Sequence, residues 1–246
     1  MEHKNWFSTL EHGFHDVIAK DFHINAKKFL DAALEFTTIL EDQTNVVFIP
    51  VKARFRTNVM QMVDVYKELA ETLKDEAGTL TLNDLVQYDI AMGRASTEVV
   101  GMCRGIMWFT RSLQFMLHAF DRSLGDSDED LCISFKAAYK ETLYLHHDAM
   151  VQPLFNAAML FCPSRDIFYT QLMHGDTFEA MAKDARVYFG HLRTVKERLV
   201  QYCVLQAWDV RYGQKTLEDM KKCYLSNKRK ATASESEKSK SKQQKT

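Results

Sequence analysis

Trp108 stands between two arginines, Arg104 at i−4 and Arg111 at i+3, a spacing that puts all three on one face if the segment is helical. An indole ringed by guanidinium groups offers a flat stacking surface for a sugar or another polar headgroup. Arginine is rarely buried without a partner, which argues for a partly open pocket; a core indole in a central helix is the plainer alternative. His147 is followed by Val151, Leu154, Phe155 and Ala158, an apolar helical face with an imidazole at its head. A neutral imidazole has one donor and one acceptor, enough to hold an amide or hydroxyl. Arg54, Asn58 and Gln61 are spaced i, i+4 and i+7, one polar face of a third helix or a solvated surface stripe. Together the three sets suit a small polar headgroup held above a greasy interior.

Other chemistry finds less support. Glu11-His12-x-x-His15 joins two imidazoles to a carboxylate but lacks a third close ligand, so surface histidines are the plainer reading. His146-His147-Asp148 has no accompanying nucleophile or glycine-rich loop. Phosphate-loop, dinucleotide-binding and zinc spacings are missing from the sequence. The expectation is a binding protein, not an enzyme, with no cofactor and no metal.

The elements that must position these residues read as helices. Phe22 to Leu40 carries apolar residues at helical spacing, and Glu41 to Asn45 breaks it. Val46 to Ile49 ends in Pro50 and reads as a buried lead-in to a second helix with proline in its first turn. That helix carries Phe55, Val59, Met62, Val63 and Tyr66 on one side. Thr81 to Asp84 opens another. The strongest pattern, about Ser96 to Leu124, is apolar around much of its circumference and should lie centrally. After a polar loop at 125–130, helical patterns run over 131–161, 165–173, 176–188 and 190–224, with Cys162-Pro163-Ser164 as a stop. On that long 131–161 pattern, His146 and Asp148 point away from His147 into solvent.

The totals agree. The 246 residues are 46% hydrophobic and 11% aromatic, ample for a core, and only 3 Pro and 9 Gly punctuate them, which favours long helices over many strands. The net charge of -1 conceals an asymmetry: residues 221–246 hold nine Lys/Arg against two Glu, so an acidic body carries a basic tail. From Ser226 the tail has no apolar residue larger than alanine and is expected to be disordered. Five cysteines with no C-x-x-C pair suit reduced thiols. The first residues lack the apolar run of a signal peptide, and no stretch reaches about 18 uncharged apolar residues, so a soluble cytosolic protein is expected.

Pro50-Val51-Lys52-Ala53 with Asn58, Trp108-x-x-Arg111-x-Leu113-x-Phe115, and His147-x-x-x-Val151-Gln152-x-x-Phe155-x-Ala157-Ala158 together resemble the glycolipid transfer protein family over roughly residues 20–225. The resemblance implies an all-α, two-layer helical sandwich of about eight helices that shuttles sphingolipids between membranes. It also implies roles: Trp108 as stacking platform, Asn58 as headgroup hydrogen-bonder, His147 as partner of the ceramide amide carbonyl. Three positions depart from the family pattern. Arg54 stands where the family has an aspartate that accepts hydrogen bonds, Gln61 where it has a basic residue, and Ala149 where it has a membrane-touching tryptophan. Arginine has donors only, and its fork suits phosphate or sulfate.

The resulting expectation is a lipid-binding domain over 1–225 and a basic tail over 226–246. The ligand is a sphingolipid whose headgroup meets Arg54, Asn58, Gln61, Trp108, Arg111 and His147. Arg54, Arg104 and Arg111 would shift selectivity toward an anionic headgroup, ceramide 1-phosphate or a sulfated glycolipid. The expected partners are that lipid and a transient, peripheral membrane contact; nucleic acid is not expected, and the chain should be a monomer. The alternative is a divergent member that has lost transfer and serves as a protein-interaction module.

Overall fold

In a computed structural model of the chain, residues 4–19, 23–40, 49–94 and 100–205 are described. They contain eight α-helices: α1 (Ala26–Phe36), α2 (Ile49–Leu73), α3 (Leu82–Ala91), α4 (Met102–Gly125), α5 (Leu131–Glu141), α6 (Val151–Leu160), α7 (Arg165–Met173) and α8 (Phe178–Leu205). Short 3-10 turns at Trp6–Ser8, Phe14–Asp16, Thr37–Leu40 and Leu143–His146 join or precede them. Among the described residues β structure is limited to two isolated bridges, Ile18 to Ile24 and Asn25 to Thr81. The all-α sandwich is therefore what the chain forms. Residues Met1–Val200 make one compact unit. The expected boundary at 225/226, the basic tail, and Val46 to Phe48 lie outside the described residues.

Local chemistry sets the helix ends. Asn25 caps α1 by accepting from the Lys28 N–H, while its own amide donates to the Gly78 carbonyl at 2.8 Å. Thr81 and Asp84 form a reciprocal capping box at the start of α3. The backbone bonds Ala26 to Leu80 (2.8 Å) and Leu82 to Ile24 (2.9 Å) tie these two starts together.

The central helix is α4, which packs on α2, α3 and α5. It begins at Met102, later than the pattern from Ser96 suggested; residues 95–99 are outside the described set. The reason lies in another helix. Asp89 of α3, fully buried, accepts from the Met102 N–H and from Arg94 Nε at 2.8 Å. Burial pushes its carboxyl above the usual carboxylate range. Gly101 is needed beside it, since a Cβ there would lie 2.4 Å from Asp89 Oδ2. Gly105 does similar service one turn on: a Cβ would lie 2.5 Å from Met62 Cγ and 3.1 Å from the Asn58 carbonyl, so glycine lets α2 and α4 approach at the level of Asn58.

Aromatic rings fill the interior. Phe55 of α2 stacks on Phe109 of α4 at 5.4 Å, and Phe36 meets Phe55 edge-on at 5.5 Å. Phe189 of α8 reaches Phe120 of α4 at 4.6 Å, and Tyr188 stands beside Phe14 and Phe36. The patterns at 176–188 and 190–224 are one helix as far as Leu205. Gly190 between them is exposed and helical, so it does not interrupt α8.

Candidate functional site

The pattern over 131–161 is not one helix. α5 ends at Thr142, whose φ of −124° and ψ of −85° leave the helical region. After the 3-10 turn, His147 is extended (φ −88°, ψ 137°), and α6 starts at Val151. Pro153 falls in the first turn of α6, where its missing N–H has no intrahelical role. Asp148 Oδ1 accepts from the Met150 and Val151 N–H groups, each at 2.9 Å, and fixes the turn. His147 therefore sits in a bend between helices, not on a helical face. Gln152 Nε2 holds that bend by donating to the His147 carbonyl (2.9 Å) and the Tyr144 carbonyl (3.1 Å).

The bend closes over a cavity of about 270 Å³. Arg54, Phe55 and Asn58 of α2 form one wall, and Arg104, Trp108, Ser112, Phe115 and Met116 of α4 a second. Leu143, His146, His147, Asp148, Val151 and Phe155 form the third, with Leu40 at the end of the 3-10 turn after α1. Of the residues expected to meet a headgroup, Arg54, Asn58, Trp108 and His147 come together here. Arg111 is buried behind the indole, its guanidinium carbon 4.8 Å from the Trp108 ring centroid. Gln61, one turn beyond Asn58, is absent from the described lining; its Oε1 is buried without a hydrogen-bond partner. His146 and Asp148, expected to face solvent, both line the cavity; Asp148 is exposed as expected, while the bend leaves His146 half-buried.

The polar groups differ in what they leave unused. Asn58 is 3% exposed, and its Nδ2 is buried with no hydrogen-bond partner. A buried, unpaired amide donor costs about 1–3 kcal/mol, which a ligand acceptor would recover. His147 packs among Trp108 (6.0 Å, 26° between planes), Phe155 (4.8 Å) and Tyr139 (5.6 Å). Burial, with the Arg54 and Arg111 charges acting in the same direction against Asp148, pushes its pKa down to about 4. At neutral pH the imidazole is uncharged. Tyr139, whose phenol burial pushes up to about 12, lies 3.1 Å from Nδ1. With the phenol donating, Nδ1 is the acceptor and the imidazole proton sits on Nε2. The cavity thus offers amide and imidazole donors, an indole, and arginines from two helices, above the rings of Phe115 and Phe155.

Sequence reasoning passed over Tyr139 and Ser112, and set Asp148 in solvent. Pro153 was the available signal for the bend, since proline belongs near a helix start. Elsewhere, Glu11 and His12 donate backbone N–H groups to Glu35, and His15 lies 6.2 Å from His191. Among the described residues no three of His, Cys, Asp and Glu gather as a metal site. No helix among them is long and apolar enough to cross a membrane.

Residues 24–174 match the family model described as glycolipid transfer protein (GLTP). The chain is 32% identical over 191 residues to the glycolipid transfer protein of Aureobasidium melanogenum, covering 77% of this chain and 88% of that one. It resembles the crystal structure of HET-C2, a fungal glycolipid transfer protein, with a TM-score of 0.67 and 29% identity over 80% of this chain and 96% of that one. Human ceramide-1-phosphate transfer protein, solved with 12:0 ceramide-1-phosphate, gives a TM-score of 0.68 at 13% identity over 82% and 97% of the two chains, a likeness of fold alone.

Proposed function

The chain belongs to the glycolipid transfer protein family, and from that premise we propose that it binds a single sphingolipid and carries it between membranes, without catalysis. The headgroup lies at the cavity mouth on Trp108, Asn58 Nδ2 donates to it, and His147 Nε2 donates to the amide carbonyl. The hydrocarbon passes Phe115 and Phe155 into the interior. The observation that carries this reading is the buried, unpartnered amide of Asn58 in the cavity wall. A buried donor left unpaired by the protein in a cavity wall is a cost that an acceptor-bearing ligand would offset.

Arg54 and Arg104 at the mouth, with Arg111 behind the indole, favour an anionic headgroup such as that of ceramide 1-phosphate or a sulfated glycolipid. Gln61 enters only by a shift of α2 or as a group behind Asn58. Membrane contact falls to the segment that frames the mouth: Leu145, Met150 and Leu154 are 62%, 82% and 70% exposed, apolar side chains interleaved with the lining residues. They stand where Ala149 offers little area. A cytosolic monomer that touches bilayers transiently fits this arrangement.

The test is native mass spectrometry after incubation with vesicles containing neutral glycosphingolipid, sulfatide and ceramide 1-phosphate. One bound sphingolipid per chain, enriched in the anionic species, is expected. A protein that stays empty in every mixture overturns the reading in favour of an interaction module.

A further inference from the structure

A sphingolipid amide presents two groups to its site, a carbonyl that needs a donor and an N–H that needs an acceptor. The cavity is rich in donors: Asn58 Nδ2, the imidazole proton of His147, and the guanidinium groups of Arg54 and Arg104. Acceptors are scarce. Asp148 is the one carboxylate among the described lining residues. Its Oδ1 is committed to the Met150 and Val151 N–H groups, but Oδ2 has no hydrogen-bond partner among the described residues. Ser112, whose hydroxyl donates to the Trp108 carbonyl at 2.9 Å, keeps its lone pairs and is a neutral acceptor, weaker than a carboxylate.

Position strengthens the case. Asp148 follows His147 directly, and both the Asp148 carboxylate and the Arg54 cation, a fellow lining residue, act electrostatically on the imidazole. The turn that commits Oδ1 also fixes the carboxylate plane, so Oδ2 is held in place before a ligand arrives. A charged acceptor makes a hydrogen bond roughly twice as strong as a neutral one.

Resting on the sphingolipid reading above, we propose that Asp148 Oδ2 is the acceptor for the amide N–H of the bound lipid. Asp148 thereby supplies the acceptor that a donor-only Arg54 cannot, and frees Arg54 to meet the headgroup. The mouth is then bipolar: cations from α2 and α4 face the headgroup, and one carboxylate from the bend faces the amide. Selectivity is for N-acyl lipids that carry a hydrogen on nitrogen.

The experiment pairs a protein change with a ligand change. D148N keeps Oδ1 for the turn, since asparagine forms the same Asx turn, and replaces Oδ2 by an NH₂ donor. Binding of ceramide 1-phosphate and its N-methyl analogue to wild type and D148N is measured by competition at fixed vesicle composition. Loss of the hydrogen bond in wild type should weaken binding of the N-methyl lipid about tenfold to a hundredfold. The steric part of that penalty is common to both proteins, so the penalty should be at least tenfold smaller in D148N. Equal penalties in the two proteins overturn the assignment. If D148N fails to fold, D148S, which retains a turn-forming oxygen and lacks the second, is read by the same comparison. A wild-type protein that binds neither lipid sinks the sphingolipid reading itself, and the assignment with it; a wild type that binds without an excess N-methyl penalty sinks the assignment alone.

Discussion

Replacing Asn58 by leucine should leave the lipid-free protein about as stable as before and make the ligand bind worse. Asn58 is 3% exposed on α2, its Nδ2 is unpartnered, and its backbone lies against Gly105 of α4. Leucine has the same branched shape and no polar atom, but it is the bulkier side chain. Removing an unsatisfied buried donor recovers about 1–3 kcal/mol, against an overpacking cost of about 1–3 kcal/mol for the added bulk. The two terms nearly cancel, leaving a net change within about 1 kcal/mol, which for a domain of this size is roughly 2–4 °C in Tm. Ligand affinity should fall about tenfold to a hundredfold, because the headgroup acceptor then faces a methyl group. Thermal melting of delipidated protein gives the first number and native mass spectrometry of lipid-loaded protein the second. Most core substitutions lose stability and function together; this one should separate them. A Tm lowered by more than about 4 °C in N58L, or unimpaired lipid uptake, would refute the reasoning, since either means that the amide is not an unspent donor aimed at a ligand.

The other expectations concern charge, acid and packing. R54D should raise uptake of neutral glycosphingolipid relative to ceramide 1-phosphate in mixed-vesicle competition, and an unchanged preference would remove Arg54 from the headgroup site. His147 has a folded pKa near 4 against an ordinary value of 6.5, so the unfolded chain binds its proton first as pH falls. The stability present above pH 6.5 should be lost as pH falls from there to 4, by about 3 kcal/mol in all. H147Q should lack that part of the slope in urea titrations. G105A should cost about 1–3 kcal/mol by overpacking Met62 and the Asn58 carbonyl, seen as a lower urea midpoint with unchanged m-value. It should also weaken binding, because the α2 to α4 spacing at Asn58 widens.

What the sequence made legible was local. The α3 start could be read from Thr81 and Asp84 because a capping box needs only residues three apart. α7 could be read because Pro163 and Ser164 precede it and Ser164 caps it. Arg54 and Asn58 were put on one face by their i, i+4 spacing, and both line the cavity. The same rule puts Gln61 on that face, but Gln61 is absent from the lining, since spacing gives direction around a helix but not how far along it a cavity reaches. The start of α4 was illegible for a different reason: Asp89, thirteen residues back, sets it through a contact between helices. The bend at His147 was concealed by coincidence. Leu143, His147 and Val151 keep four-residue spacing straight through it, so periodicity ran on while Thr142 and Pro153 ended one helix and began another.

The bend also separates two jobs that a straight helix would have merged. A cavity of about 270 Å³ sits at the lower edge of the ~300–1,000 Å³ usual for ligand sites, enough for a headgroup and the first carbons but not for two long chains. Phe55, itself in the cavity wall, meets Phe36 edge-on and stacks on Phe109, so on the proposed reading hydrocarbon enters by displacing packed rings. Each methylene taken from water contributes about 0.8 kcal/mol, so ten of them outweigh any hydrogen bond at the mouth. Taken from a bilayer instead, the same methylenes move between two apolar phases and contribute little. In water the chains therefore dominate affinity. At a membrane their contribution cancels, and on the proposed reading the balance is left to the headgroup contacts of Arg54, Asn58, Trp108, His147 and Asp148. On that reading a few polar residues in one bend and two helix faces decide which lipid leaves a membrane, although they are a small part of what holds it once it has left.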